Sequence, residues 1–295
     1  MRKYTNMFNQ LLINGLIAGA IYALVASGFS LIYSVCKFVH FAHGAMIAFS
    51  AYFLYFLFSM FGLNFGFSVV LSIIFASLLG FLTNQVVYRQ LRKRKTSNVI
   101  LLIAGFALLI IFESLILLLF GADVKTIGYI KISKGIEIFK AIITPLQIVI
   151  IIVSIILLFL LFLFMKKTKI GKAMRAVADN KDVAEVLGIS SEKIYNWSFI
   201  IGSAIAGIAG ILVGLEQNLE PTMGTNLMIK GFTAAIIGGI DSVPGSILGS
   251  FLLGLVENFG IWLLPSGYKD AIAFIILFIF LLFKPQGILG IKKKD

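Results

Sequence analysis

Residues 5–36 carry no Asp, Glu, Lys or Arg, and residues 38–88 form a second charge-free run, 51 residues long. A helix needs about 20 consecutive apolar residues to cross a hydrocarbon layer about 30 Å thick, so the first run holds one span and the second holds two. Soluble domains interrupt such runs, because about a quarter of their residues are charged. Here 13% of 295 residues are charged and 60% are hydrophobic. Those proportions all but exclude a soluble globular enzyme and set an upper limit of about nine spans. The chain reads as an all-α polytopic membrane protein.

Lys and Arg outnumber Asp and Glu by 25 to 13. The excess sits in short hydrophilic stretches, a pattern that reports topology and not nucleic-acid binding. Arg89, Arg92, Lys93, Arg94 and Lys95 form one cluster, and Lys166, Lys167, Lys169, Lys172 and Arg175 form another. The positive-inside rule puts both in the cytoplasm. Residues 96–120, with Glu113 as their single charge, lead outward to a polar loop, 121–140. That loop sets Lys125, Lys131, Lys134 and Lys140 against Asp123 and Glu137, which weakens the topological signal. Residues 141–165 return, and residues 194–215 lead out again to Glu216, Glu220 and Pro221. Beyond Lys230, Gly238, Gly239, Asp241, Pro244 and Gly245 separate two apolar pieces. A last span, 271–283, ends in a tail of Lys292, Lys293 and Lys294 expected in the cytoplasm. The count is about eight transmembrane helices.

Parity leaves the N-terminal side open. With Arg2 and Lys3 inside and both early segments crossing, the Arg89 loop would fall outside, so either the N-terminus is external or a segment within residues 37–60 is re-entrant. The first apolar run is longer than a signal-peptide core and lacks an A-x-A type cleavage site, so it reads as a retained helix. The single cysteine, Cys36, reads as inert packing. Gly15, Gly19, Ala23 and Ser27, and likewise Gly202, Ala206, Gly210 and Gly214, place small residues at every fourth position. Such faces let helix backbones approach closely inside a bundle.

Most intramembrane chemistry lacks its residues. His40 and His43 are the only histidines. With no Asp or Glu near them, they read as packed side chains beside Phe41, and neither a metal site nor a hydrolase is supported. The P-loop pattern G-x-x-x-x-G-K-[ST] does not occur, so ATP, if used, is hydrolysed by another subunit. Glu113, Glu257 and Asp241 are the only candidates for binding a coupling ion, and each lies near a span end or break. The 238–245 stretch reads as a tight turn between helices more readily than as a broken-helix ion site.

Residues 171–189, GKAMRAVADNKDVAEVLGI, are too long for a simple connector and are built as helix. They are alanine-rich, place Arg175 and Asp179 at i, i+4, and stop at Gly188. Val183, Ala184, Leu187 and Ile189 offer an apolar patch among charges. Two readings stand: an amphipathic helix on anionic headgroups, or a docking helix for a soluble partner.

Several segments resemble the permease subunits of branched-chain amino acid ABC transporters, within them the LivH type. GLIAGAIYALVASGFSLIYSV from Gly15 and FVHFAHGAM from Phe38 resemble the family's first two helices. GKAMRAVADNKDVAEVLGIS from Gly171 resembles its cytoplasmic coupling loop, and GSAIAGIAGILVG from Gly202 the helix after it. KGFTAAIIGGIDSVPGSILGSFLLGLVEN from Lys230 and YKDAIAFIILFIFLLFKPQGILG from Tyr268 match its C-terminal third in order and spacing. Residues 58–82 and 121–140 contribute least. The family usually has Asn where this chain has His40, often an acidic residue at Ala45, and more often glycine at Asp241, which suggests a surface turn there.

The resemblance implies one permease domain over residues 1–295, with a helical coupling loop at about 166–194, in a prokaryotic inner membrane. It implies no cofactor and no enzymatic activity of the chain's own. It implies a second related permease, two cytoplasmic ATP-binding subunits and an external substrate-binding protein as partners. Arg175, Asp179, Val183, Ala184, Leu187, Gly188 and Ile189 would then couple to the ATPase, while Phe41, His43 and Gly44 would wall a mostly apolar, weakly binding path. Branched-chain amino acids are the expected substrate. Urea or short amides carried by the same architecture, and a stand-alone secondary amino acid carrier, remain as alternatives.

Overall fold

The computed structural model describes residues 2–129, 135–138 and 140–290. Lys131, Lys134, the Lys292, Lys293 and Lys294 tail, and the side chains of Arg2 and Lys3 lie outside what it describes. The helices are α1 (Arg2–Cys36), α2 (His43–Leu54), α3 (Phe65–Thr83), α4 (Arg89–Lys93), α5 (Asn98–Phe120), α6 (Pro145–Lys167), α7 (Lys169–Asp179), α8 (Lys181–Val186), α9 (Ser191–Glu216), α10 (Met223–Gly238), α11 (Val243–Gly260) and α12 (Lys269–Phe283). Wide π-turns lengthen α2 to Met60 and join α3 to α4, giving one helix from Phe65 to Lys93. Eight helices among the described residues are long and apolar enough to span a bilayer, as expected. The sixteen-residue α10 is shorter. A small antiparallel hairpin, β1 (Ile136–Ile138) with β2 (Ala141–Ile143), lies in the polar loop.

Local chemistry fixes the helix ends. Asn64 caps α3, its Oδ1 accepting from Gly66 N at 3.0 Å and Phe67 N at 3.4 Å. Ser242 caps α11, accepting from Gly245 N at 3.2 Å, with Pro244 in the first turn. The 238–245 stretch is thus a helix–turn–helix junction. It is not bare: Ile288 N and Leu289 N donate to the α10 carbonyls of Ile237 and Gly238 at 2.9 and 2.8 Å.

Three contacts order the helix ends. Asn98 Nδ2 donates to Lys37 O at 3.3 Å, which puts the end of α1 beside the basic loop that precedes α5. Ser59 Oγ donates to Ile127 O at 2.7 Å, so the far end of α2 reaches the loop after α5. The Gln10 side chain exchanges hydrogen bonds with the Ile142 backbone at 3.0 and 2.8 Å. The first turns of α1 are thus tied to the β2 segment, its last residue lies beside the basic loop, and α2 runs from that end to the loop after α5 as one span-length helix, which fits an external N-terminus better than a re-entrant segment.

The described residues fall into two compact units. In the one comprising residues 28–129 and 159–228, α9 is the central element. Gly202 lies against Gly28 O and Ile32, Gly207 against Ala76 and Ser50, and Gly210 against the Ile47 carbonyl. Phe29, Phe38, Met46, Tyr52, Tyr88 and Phe199 fill the rest of this core. In the other unit, Gly15 and Gly19 of α1 meet Leu255 and Phe251 of α11, Gly231 meets Val25, and Gly249 meets the Ala234 carbonyl. Both small-residue stripes thus do what their spacing implies. Cys36 is buried, 3.6 Å from Ser198 Oγ.

Because a Cβ at Gly210 would overlap backbone, which cannot move aside as a side chain can, Gly210→Val should destabilise the detergent-solubilised protein by at least about 2 kcal/mol. Gly267 has open space around it. Gly267→Ala should leave the thermal transition unchanged, and equal melting of the two variants would contradict the packing described.

Candidate functional site

The connector between α1 and α2, residues 37–42, is irregular backbone between two spans. Lys37 takes a left-handed conformation (φ 57°) that ends α1 abruptly. The chain then buries Phe38, His40 and Ala42 before α2 begins at His43. His40 Nδ1 lies 2.8 Å from Tyr88 Oη, and its ring packs on Tyr88 and Phe199 at centroid distances of 5.2 and 4.9 Å. His43 is fully buried, its ring 6.3 Å from that of His40 and against Gly28. Gly44 is also interior, pressed on Gly224 O and Met228 of the α10 N-terminus. Phe41 alone of the three expected wall residues keeps open surface, and its ring stacks on the half-exposed Phe106 at 4.2 Å.

His40 lies between the spanning helices. Burial, aided by the neighbouring His43, pushes its imidazole well below the ordinary 6.5, so the ring is neutral. Among the described residues, no three His, Cys, Asp or Glu side chains gather as a metal site requires.

The three acidic residues weighed for ion binding have separate fates. Asp241 sits in the α10–α11 turn. Glu113 is half-buried on α5, with Thr225 Oγ1 at 3.5 Å. Glu257 is 1% exposed and engaged by Tyr22 and Lys230. The sequence marked Lys230 only as the start of a broken region. Its lone charge within an apolar stretch was the available sign that an acid from another helix must meet it.

The 166–190 region is two helices. Thr168 Oγ1 accepts from Gly171 N at 2.9 Å to start α7, whose Gly171, Met174 and Val177 are buried while Lys169, Lys172, Arg175 and Asp179 face outward. Asn180 breaks the helix and caps α8, accepting from Val183 N at 3.1 Å. The i, i+4 ion pair that forms here is Lys181–Glu185, at 3.9 Å. Gly188, at φ 83°, provides the expected stop.

The apolar patch differs in membership from the sequence reading. Ala184 faces inward at 1% exposure and Ile189 is half-buried, whereas Val183, Leu187 and the unanticipated Val186 are 54%, 74% and 87% exposed. Val186 stands three residues after Val183 and next to Leu187, so helical spacing puts all three on one face, and that i, i+3, i+4 pattern was the signal available in the sequence. Directly after this loop, Glu192 accepts two hydrogen bonds from Arg92, at 3.1 and 2.9 Å. Arg92 also donates to Asn84 at 3.0 Å, Asn84 donates to Asn196 at 2.7 Å, and the guanidinium covers the Tyr195 ring at 4.7 Å. The start of α9 is thereby fixed to α4.

Residues 11–281 match the family described as the permease component of branched-chain amino acid transport systems. The chain is 35% identical to the high-affinity branched-chain amino acid transport system permease protein BraD of Pseudomonas aeruginosa, over 95% of each. It is 32% identical to the corresponding LivH protein of Escherichia coli K12, over 96% of each. A probable branched-chain amino acid transport permease, LivH, of Methanocaldococcus jannaschii is 28% identical over 92% of this chain and 89% of that one. Among solved structures, PsaBC from Streptococcus pneumoniae in complex with Fab shares the fold with a TM-score of 0.52, at 13% identity, over 92% and 91% of the two chains.

The buried His40 carries a sign-definite pH dependence. Its folded-state affinity for protons is depressed, so the folded form gains from a neutral ring above the ordinary value of 6.5 and loses that gain as pH falls below it. The melting temperature in detergent should therefore fall between about pH 7.5 and about pH 5.5, and fall less in His40→Asn, which keeps a polar partner for Tyr88. Parallel pH profiles for the two proteins would show that the ring does not titrate on unfolding.

Proposed function

The chain belongs to the family of branched-chain amino acid transport permeases, and from that premise we propose that it is the membrane subunit of an ATP-driven importer of aliphatic amino acids. It would form the translocation path with a second, related permease in the cytoplasmic membrane of a prokaryote. Two cytoplasmic ATPases would drive it, and an external binding protein would deliver substrate. The whole chain, residues 1–295, would act as one permease domain, with residues 166–194 as its coupling loop. A permease needs no catalytic group of its own, and ATP hydrolysis would belong to the partners.

The observation that carries this reading is the exposed Val183, Val186 and Leu187 face on α8, a capped helix on the basic side of the molecule. Three exposed apolar side chains on a six-residue helix and the residue that ends it suit a shallow cleft on a soluble partner. Arg175 and Asp179 on α7 would flank that cleft, Ala184 and Ile189 would seat α8 from behind, and Gly188 would set its angle. Movement of α8 would pass through Glu192 and Arg92 to α9 and to the Phe65–Lys93 helix as packed bodies. Phe41, stacked on Phe106, would give the path an apolar wall, and His43 and Gly44 would shape that wall from inside.

Tagging the C-terminus and identifying what co-purifies from native membranes tests the assembly. Two P-loop ATPases and a second permease are expected, and a homo-oligomer alone would reject the importer. Within the assembled importer, Leu187→Asp should cut leucine uptake roughly tenfold or more, as loss of a central interface anchor does, while the protein stays folded. Unchanged uptake in Leu187→Asp would remove the docking role of α8.

A further inference from the structure

The unit that contains α10, α11, α12 and the first part of α1 gathers four polar side chains. Tyr22 Oη donates to Glu257 Oε2 at 2.9 Å, and Lys230 Nζ donates to Glu257 Oε1 at 2.5 Å and to Asp270 Oδ1 at 2.7 Å. Glu257 stands 14 residues above Val243 on α11, and Asp270 stands 13 residues above Phe283 on α12, each roughly 20 Å from the cytoplasmic helix end. The cluster thus sits toward the outer ends of two spans, and ionisable groups joined between spanning helices are costly and commonly mark the route of a substrate or ion.

The members of the cluster are not equivalent. Glu257 is 1% exposed and both of its oxygens are engaged, so it cannot meet a ligand. The Lys230 side chain is 13% exposed and is oriented by Glu257. Asp270 is 75% exposed at the outer end of α12, and its hold on Lys230 is an open ion pair of the kind that water weakens. Lys230 and Asp270 therefore present one cation and one anion side by side, steady at the buried end and exchangeable at the exposed end.

We infer that Lys230 and Asp270 form a receptor for the zwitterionic head of an α-amino acid entering from the outer side. The substrate carboxylate takes the place of Asp270 on the Lys230 ammonium, and the substrate ammonium takes the released Asp270 carboxylate. Two ion pairs replace one and no net charge enters the membrane. Glu257 and Tyr22 are positioning residues, which keep the lysine aimed at the opening. The inference rests on the amino acid importer proposed above and adds what is read: the α-ammonium and α-carboxylate shared by all aliphatic substrates, not the side chain. A deaminated acid would leave Asp270 facing a second carboxylate, and the receptor would reject it.

The test uses the purified importer without its external binding protein, because that protein would screen analogues first. Leucine binding is followed by saturation-transfer NMR, with 4-methylpentanoate, which lacks the ammonium, and leucinamide, which lacks the carboxylate, as competitors. Wild type should bind leucine and ignore both analogues. Asp270→Asn, checked for assembly by co-purification, should bind leucine roughly tenfold or more weakly, as loss of a charged hydrogen bond does, and Asp270→Glu should recover much of that loss. Lys230→Met leaves Glu257 buried without its cation and is expected to misfold. The pair Lys230→Met with Glu257→Gln removes both buried charges and should fold, but bind no leucine. Leucine binding by Asp270→Asn equal to wild type, or competition by either analogue as strong as that of unlabelled leucine, would overturn the receptor while leaving the importer intact. A wild-type importer that carries no amino acid in proteoliposomes would overturn the function on which the receptor rests, and the receptor with it.

Discussion

Two helices in hydrocarbon gain nothing from releasing water, because lipid tails are as apolar as leucine, so their association depends on how closely their backbones can approach. In this protein that approach is made at glycine. Gly28 meets Gly202, Gly44 meets Gly224, Gly210 meets the Ile47 carbonyl, and Gly254 meets the backbone of Gly15 and Gly19. Each pairing lies within one of the two compact units. Several buried hydroxyls are satisfied without crossing between helices: Ser72, Ser250 and Thr83 donate to carbonyls four residues back on their own helix. The result is tightly packed helices with few polar ties, which can move as bodies without breaking many bonds.

What the sequence made legible follows from this physics. Spans were readable because charge is excluded from hydrocarbon, and the stripes Gly15 to Ser27 and Gly202 to Gly214 were readable because four-residue spacing falls on one helix face. The Gly188 stop and the turn at Pro244 were readable because backbone rules are local. Less accessible was whatever depends on which helices become neighbours. His43 and Gly44, expected to wall a path, stand in the first turn of α2, where Gly28 on one side and Gly224 and Met228 on the other enclose them and leave Phe41 with the open surface. Spacing alone could not place the break at Asn180, because helical periodicity runs through it until the side chain caps the next turn. The hairpin at 136–143 lies in a segment whose short apolar run fits either kind of element.

Two ion pairs tie helices together, one at the edge of the spanning region and one inside it. Arg92 and Glu192 are joined by a two-point contact that a lysine could not reproduce, since its single ammonium lacks the planar fork. Lys230 and Glu257 answer each other across α10 and α11. These two ties differ in what surrounds them. Glu192 keeps 41% of its side chain exposed next to the loop that carries α8, so that tie lies at an open edge of its unit. Glu257 is closed off, so that tie fixes direction in the interior.

A six-residue helix such as α8 would not persist alone, since so short a helix cannot recover its nucleation cost. It exists here because Asn180 caps it, Gly188 ends it and Ala184 seats it. Those three devices all act on the backbone or the inner face, and none covers Val183, Val186 or Leu187. A structural helix with the same supports could place polar residues at these positions and lose nothing in packing. Apolar side chains stand there beside a loop otherwise rich in charge, which is what the proposed docking to a partner would require. On that reading the Arg92–Glu192 tie next to the loop would connect the docked surface to the bundle, because a load on α8 would reach α9 close to that tie.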